Sequence, residues 1–224
     1  IVEANGIQLW AFLAHALRLY AALGAGDPEL ARADLQRLQG LLAPGRAVER
    51  AHYGYLASLV ALLEAQPQDA LRHCIETQAI AERRGGPQQM GLGYLALAQI
   101  CHACGQPEAA AAALAQARAV ADGMAAGLMH FQADLCAALF ALDRGENETA
   151  RAGLQQAYAR GRQEGYFGFI YWRRDVMTRL TRFALQEGIE PDYARRLRQR
   201  RTLWPVCIHV LGGFRLWLDG RPHA

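Results

Sequence analysis

The sequence predicts an all-α fold of about five antiparallel helix pairs, followed by a short segment of β-structure. Three observations lead to this expectation. A six-residue pattern recurs about every forty residues, Ala and Leu dominate the chain up to residue 200, and the residues after 201 become rich in β-branched side chains. A period of this length is typical of stacked helix pairs, none of which can bury its apolar face alone.

The repeat is clearest where the second helix of each pair begins. Four segments align without gaps, and a looser fifth carries one extra residue: 26–31, 65–70, 105–110, 145–150 and 188–194. Three of the four aligned segments place Pro near the first helical position, where its missing N–H costs nothing. An acidic residue follows the turn and favours the positive end of the helix. Each segment therefore predicts a turn that leads directly into a helix.

These starts, together with the glycines that close the helices, place every element. The first helices of the pairs are expected at about 4–24, 46–64, 88–104, 126–143 and 166–187. The second helices are expected at about 28–42, 67–84, 107–122, 147–164 and 190–201. The connections are short, so consecutive helices should pack antiparallel.

The aligned positions also predict how the helices pack. Small residues recur four positions before each aligned segment and five positions after its start: Ala22, Ala61, Cys101, Ala141, and Ala31, Ala70, Ala110, Ala150. Larger residues recur nine positions after the start: Leu35, Cys74, Leu114 and Leu154. Such matching of small and large side chains lets two helices approach closely.

These columns resemble the tetratricopeptide repeat, with Ala117 and Ala157 at its last position. Leu38 and Thr77 depart from that position, and the period exceeds the usual 34 residues. The resemblance implies a right-handed superhelix across residues 1–201, whose first helices line a concave groove.

The pattern changes after residue 201. Residues 205–211 and 214–218 read as two short strands, and Asp219-Gly220 reads as a turn. Residues 202–224 are therefore assigned to a linker and the opening of a second domain. The chain also lacks an initiator Met and opens on a helical pattern, so we interpret it as an excised segment of a longer protein.

Residues 204–222 resemble the start of the response-regulator-type winged helix of bacterial transcriptional activators, although the pair Gly212-Gly213 departs from the single Gly expected there. Residues 188–197 are similar to the junction in large ATP-dependent regulators akin to the maltose activator and the LuxR type. The resemblance implies a cytoplasmic sensor segment that relays an effector or partner protein to a DNA-binding domain. It places the ATP site before residue 1 and the DNA-recognition helix after residue 224.

Composition excludes several other functions. All 24 basic residues are Arg, so neither a P-loop nor a Schiff-base Lys is present. The net charge of +3 does not by itself indicate nucleic-acid binding. No apolar run is long enough to cross a bilayer, and the first residues are not a signal peptide. Five cysteines without a disulfide spacing indicate reduced thiols.

No catalytic residue, metal or cofactor is expected. Cys101 and Cys104 share a helix face, but zinc needs four ligands and Cys101 fills a packing column. The single serine, Ser58, lies within a helix without a strand-to-helix elbow. Most carboxylates lie at helix starts or beside arginines, where helix-end electrostatics accounts for them.

Two surfaces are the candidate sites. Groove residues for an effector or partner protein would be Tyr20, His52, Tyr55, Leu95, Gln99, His102 and Gln132. The alternative is that packing covers them, which would make the chain a structural scaffold for docking or self-association. Phosphate contacts would come from Arg195, Arg198 and Arg201, whose alternative is a solvated helix end. The aromatic cluster at residues 166–172 would either pack on the fourth repeat or dock another domain.

Overall fold

In the computed structural model, the described residues are 8–43, 45–84, 86–167, 173–201, 206–209, 215–218 and 221–223. This part of the chain holds ten helices: α1 (Gln8–Ala25), α2 (Pro28–Gly40), α3 (Ala47–Leu63), α4 (Pro67–Arg84), α5 (Pro87–Ala103), α6 (Pro107–Met124), α7 (Gly127–Asp143), α8 (Asn147–Glu164), α9 (Arg174–Gln186) and α10 (Pro191–Arg201). The all-α class predicted for this region is confirmed.

The chain divides into two compact units, Ile1–Val120 and Ala121–Ala224, and the division falls within α6. The repeat did not predict this division, because it continues through both units without a change of pattern. In the first unit α1 packs on α2 and α3, and α3 packs on α4 and α5. In the second unit α8 packs on α7 and α10, and α9 packs on α7.

The same backbone turn precedes the second helix of every pair. Its first residue has positive φ, and the next N–H bonds to the carbonyl five residues earlier, which is the Schellman closure of a helix. The positive-φ residues are Gly26, Ala65, Gly105, Gly145 and Gly188, and the accepting carbonyls belong to Ala22, Ala61, Cys101, Ala141 and Ala184. Each acceptor except Ala184 belongs to the small-residue column that the sequence identified. The repeat therefore encodes one turn.

The packing columns are buried as the alignment suggested. All eight small residues on either side of the turn are buried, and so are Cys74, Leu114 and Leu154 of the larger column. Leu35, the fourth member of that column, is half-buried. The small side chains bring helices together, because a larger one at these positions would hold the two backbones apart.

The first helix of the fifth pair, α9, begins later than predicted. A helix was expected from residue 166, but α8 ends at Glu164 and α9 begins at Arg174. Tyr166 and Phe167 instead form a turn, in which the Tyr166 N–H bonds to the Gly161 carbonyl at 2.8 Å. Because this bond closes α8, it directs the chain away from a helical path. The rest of the aromatic cluster, residues 168–172, lies outside the described residues.

Three short strands follow the helices: β1 (Val206–His209), β2 (Arg215–Leu218) and β3 (Arg221–His223). They form a sheet of order β1-β2-β3 in which both neighbouring pairs are antiparallel. Val206 pairs with Leu218, and His209 pairs with Arg215. The other winged-helix positions, including Gly212-Gly213 and the Asp219-Gly220 turn, lie outside the described residues.

None of the helices in the described part of the chain combines the length and the apolar character that a membrane span requires.

Candidate functional site

Two of the predicted groove residues, Tyr20 and His52, are in contact within the first unit. The Tyr20 hydroxyl on α1 and the His52 Nε2 on α3 are hydrogen-bonded at 2.9 Å. Their ring centroids are 5.9 Å apart, and Phe12 of α1 meets the imidazole edge-on at 5.8 Å. Because α1 and α3 are neighbouring first helices, the repeat places the same face of each toward this contact. Both polar side chains remain half-buried.

This pair is uncharged at neutral pH. Burial lowers the pKa of His52 from its ordinary value, and burial raises the pKa of Tyr20. A neutral imidazole keeps one N–H donor and one acceptor nitrogen, and a phenol can donate or accept. The two side chains therefore form an uncharged polar pair beside the Phe12 ring. This pair is suited to hydrogen bonding and not to ion pairing.

The other predicted groove residues lie deeper. Tyr55, Leu95 and Gln99 are buried in the first unit, and Gln132 is buried in the second. The Gln99 amide Nε2 donates to the Leu95 carbonyl at 3.2 Å, so part of its hydrogen-bonding capacity is used within its own helix. His102 is half-buried on α5. In this arrangement the four buried side chains offer little surface to a ligand.

A buried carboxylate, which the sequence analysis did not single out, ties α1 to α2. Asp34 is fully buried, and its Oδ2 accepts from Arg18 Nε at 2.7 Å. Its Oδ1 lies 3.1 Å from His15 Nδ1 and 3.3 Å from an Arg37 terminal nitrogen. Burial raises the pKa of Asp34, but the three hydrogen bonds outweigh burial and hold that pKa below its usual range.

The sequence did carry a signal for this carboxylate. Ala31, Asp34 and Leu38 are the buried residues of α2, at the i, i+3 and i+7 spacing of one helix face. An acidic residue on an otherwise apolar stripe needs a cationic partner on the facing helix. Arg18 of α1 meets that requirement, so the cluster stabilises the helix pair.

The second unit contains an aromatic cluster beside the predicted phosphate contacts. Tyr193 of α10 lies with its ring centroid 5.2 Å from Tyr158 and 5.4 Å from Phe167. The Tyr193 hydroxyl donates to the Tyr166 carbonyl, and the Tyr166 ring lies 5.6 Å from that of Phe131. These contacts hold Tyr166 and Phe167, which follow α8, against α10.

The cluster also positions two arginines that the sequence analysis did not select. The Arg200 guanidinium lies 4.4 Å from the centroid of the Phe167 ring, and that of Arg196 lies 5.6 Å from it. Both distances suit cation–π contact. The i, i+4 spacing of these arginines on α10 was the available signal, but Phe167 was expected inside a helix.

The predicted phosphate contacts occupy different environments. Arg195 is exposed and forms an ion pair with Asp192 at 2.8 Å. Arg198 is half-buried, and the side chain of Arg201 lies outside the described residues. The exposed arginines of α10 thus include one that is already paired with a carboxylate.

The described residues contain no group of three or more His, Cys, Asp or Glu side chains arranged to hold a metal ion. Cys101 is buried, and the Cys104 thiol lies 3.4 Å from the Pro67 carbonyl oxygen. Burial raises the pKa of both thiols and raises that of Cys74 to about 12. Ser58 is buried and donates to the Tyr55 carbonyl at 2.6 Å. These side chains have the contacts of packing residues.

No protein-family model matches this chain, and neither a curated protein nor a solved structure does. Function is therefore inferred from the contacts within each unit and from the sequence.

Proposed function

We propose that this chain is a non-enzymatic sensor module of a bacterial transcription regulator. It would bind a small effector or a partner protein and relay that event to a DNA-binding domain. The observation that carries the proposal is the contact between Tyr20 and His52, which joins neighbouring first helices of the repeat at 2.9 Å. The repeat supplies the framework for that contact.

The helix pairs support a tetratricopeptide-like reading of the framework. All five aligned segments begin at a residue of positive φ, and the small residues around these turns are buried. Neighbouring first helices pack on one another, α1 on α3 and α3 on α5 in the first unit. Repeats of this kind commonly present one helix face for binding.

The Tyr20–His52 contact has the chemistry of a small-molecule subsite. It offers an uncharged hydrogen-bonding pair beside the Phe12 ring, and ligand sites usually combine apolar walls with a few placed polar groups. A ligand that bridges both side chains would favour one arrangement of α1 and α3 over others. Such differential binding is what shifts a conformational population and transmits a signal.

A thermal-shift screen of metabolites and amphipathic peptides tests this subsite. A true ligand at about a hundred times its Kd should stabilise the chain by about 2.7 kcal/mol. Tyr20→Phe removes the hydroxyl that contacts His52 and should abolish the shift. Tyr94→Phe is the matched control, because the Tyr94 hydroxyl donates to Glu82 at 2.9 Å on an exposed surface. Ligand shifts that survive Tyr20→Phe unchanged would contradict the subsite.

A structural scaffold is the second candidate, and the burial of Tyr55, Leu95, Gln99 and Gln132 favours it. On this reading the inner positions hold helices together and sense nothing. The scaffold predicts that no ligand shifts the thermal transition and that Tyr20→Phe leaves regulation of a reporter gene intact.

The relay to DNA rests on the resemblance of residues 204–222 to a winged helix, and the antiparallel sheet β1-β2-β3 is compatible with it. Arg195, Arg198 and Arg201 would add phosphate contacts next to that domain. The coding sequence on either side of these residues is the direct test. A P-loop upstream and a helix-turn-helix downstream are expected, and their joint absence would contradict the regulator role.

A further inference from the structure

Helix α1 has an exposed apolar face. Trp10 is 59% exposed, Leu13 37% and Leu17 68%. These residues follow the i, i+3, i+7 spacing of one helix face, and Ala14 and Ala21 on the same face are also exposed. Elsewhere in the described helices, the exposed large apolar side chains lie one to a helix: Leu30, Val48, Ile75 and Met124.

The opposite face of α1 is packed within the first unit. The residues of that face are buried within the first unit: Ala11, Phe12, Ala16, Leu19, Ala22 and Leu23. Arg18 is the single Arg, Lys, Asp or Glu in the helix, and its guanidinium is paired with the buried Asp34. A helix with two opposite apolar faces requires cover on both of them. The exposed face therefore marks an interaction surface.

The sizes of the side chains on this face indicate which partner covers it. Its largest side chains, Trp10 and Leu13, precede Leu17, and two smaller residues at matching distances, Ala21 and Gly24, follow it. Trp10 lies seven positions before Leu17, and Gly24 lies seven positions after it. Leu13 lies four positions before Leu17, and Ala21 four positions after it. Rotation by 180° about an axis through Leu17 thus places Trp10 opposite Gly24 and Leu13 opposite Ala21, with Leu17 opposite itself.

We propose that this face binds a second copy of the chain, with two α1 helices antiparallel about a two-fold axis at Leu17. Trp10 would then pack on the partner's Gly24, Leu13 on the partner's Ala21, and the two Leu17 side chains on each other. A two-fold interface must be complementary to itself, and this sequence of sizes meets that condition.

The surface around Gly24 is open in the way that this packing requires. A Cβ added at Gly24 meets no atom of another described side chain within 4 Å, so the described part of the chain leaves that space open. The contact between the two α1 helices would bury no carboxylate of α1, because this helix contains no acidic residue. One helix per copy presents less surface than the roughly 800 Å² per partner of a standard interface, so we expect a weak, reversible dimer.

Sedimentation equilibrium across the micromolar range tests the proposal, which does not depend on the proposed function. The full 224-residue chain should pass from monomer to dimer as its concentration rises. Leu17→Glu places two like charges at the axis and should raise the dimer dissociation constant at least tenfold. Ile75→Glu introduces the same charge at an exposed position of α4 and should leave association unchanged. Circular dichroism should show equal helix content in all three proteins.

Two further variants test the contact at the axis and the space at Gly24. Mixing Leu17→Glu with Leu17→Arg should restore a dimer that neither variant forms alone, because opposite charges then meet at the axis. Gly24→Leu fills the space that the partner's Trp10 needs and should weaken dimerisation without unfolding the monomer. A native chain that stays monomeric at the highest concentration, or a dimer unaffected by Leu17→Glu, would overturn the proposal.

Discussion

The two units share one repeat but differ in what lies between their helices. The first unit joins α1 to α2 through a buried carboxylate, Asp34, which is hydrogen-bonded by Arg18, His15 and Arg37. The second unit joins its last helix to the rest through aromatic rings centred on Tyr193. The contacts at these two sites are thus polar in the first unit and aromatic in the second.

The comparison shows which part of a repeat is fixed and which part is free. The turn and the small residues beside it recur in both units, because they determine how closely two helices approach. The contacts between larger side chains farther from the turn vary, since many combinations of side chains can fill the remaining space. Mutations of the variable contacts should therefore affect the two units in different ways.

Removal of the Tyr193 side chain should cause the largest loss of stability. Tyr193 is fully buried, and truncating a buried aromatic residue to Ala costs about 3–5 kcal/mol. Tyr193→Phe keeps the ring and loses the hydrogen bond to the Tyr166 carbonyl, which should cost about 1 kcal/mol. Urea denaturation measures both values. Equal losses for the two variants would show that the hydroxyl, and not the ring, holds the cluster together.

In the first unit, Asp34→Asn should cost about 2 kcal/mol, because hydrogen bonds to a charged group contribute about 1.5–3 kcal/mol. The control is Asp69→Asn, since Asp69 and its partner Arg72 are both more than half exposed. That substitution should change the free energy of unfolding by less than about 1 kcal/mol. A comparable loss at both sites would remove the distinction between the buried and the surface pair.

The Asp34 contribution also has a defined pH dependence. Its pKa is lowered in the folded chain, so the unfolded chain binds the proton more readily. The stabilisation is therefore complete well above the ordinary Asp pKa of about 3.9 and is lost as pH falls through the lower, folded value. Asp34→Asn should flatten the acid limb of the stability curve, as measured by urea titrations at several pH values.

The recurring turn allows a matched test across the two units. Ala65 adopts φ of 57° in the first unit, and Gly145 adopts φ of 75° at the equivalent position of the second. A non-glycine residue costs roughly 1–2 kcal/mol in this conformation, so Gly145→Ala should destabilise by about 1 kcal/mol. Ala65→Gly is the reverse change and should stabilise by a comparable amount, because the greater freedom of Gly in the unfolded chain reduces both effects alike. Changes of the same sign in thermal denaturation would contradict the equivalence of the turns.

The smallest effect is expected from the titration of His52. Burial lowers its pKa, so the unfolded chain takes up this proton first as the pH falls below about 6.5. Stability should therefore decline as pH falls from about 6.5 toward the lower pKa of the folded chain, and His52→Gln should remove that decline. Thermal denaturation at several pH values measures it. A native curve identical to that of the variant would show that His52 titrates as in the unfolded chain.

Much of the helical architecture could be predicted because its signals are local. Pro at helix starts and Gly at the turns gave most helix bounds to within a few residues, and the small-residue columns predicted which positions are buried. The predicted start of α9 was wrong. A hydrogen bond from the Tyr166 N–H to the Gly161 carbonyl closes α8 and outweighs the local helical pattern. Of the candidate site, the structure brings Tyr20 and His52 together.

By itself the sequence determined how many helices form, where each second helix begins and which residues line the turns. These properties depend on backbone conformation within a few residues, which Gly, Pro and Ala control directly. The burial of Asp34, the rings around Tyr193 and the exposed face of α1 were decided by tertiary structure. They depend on which faces of separate helices meet, and so on the desolvation of groups far apart in the chain.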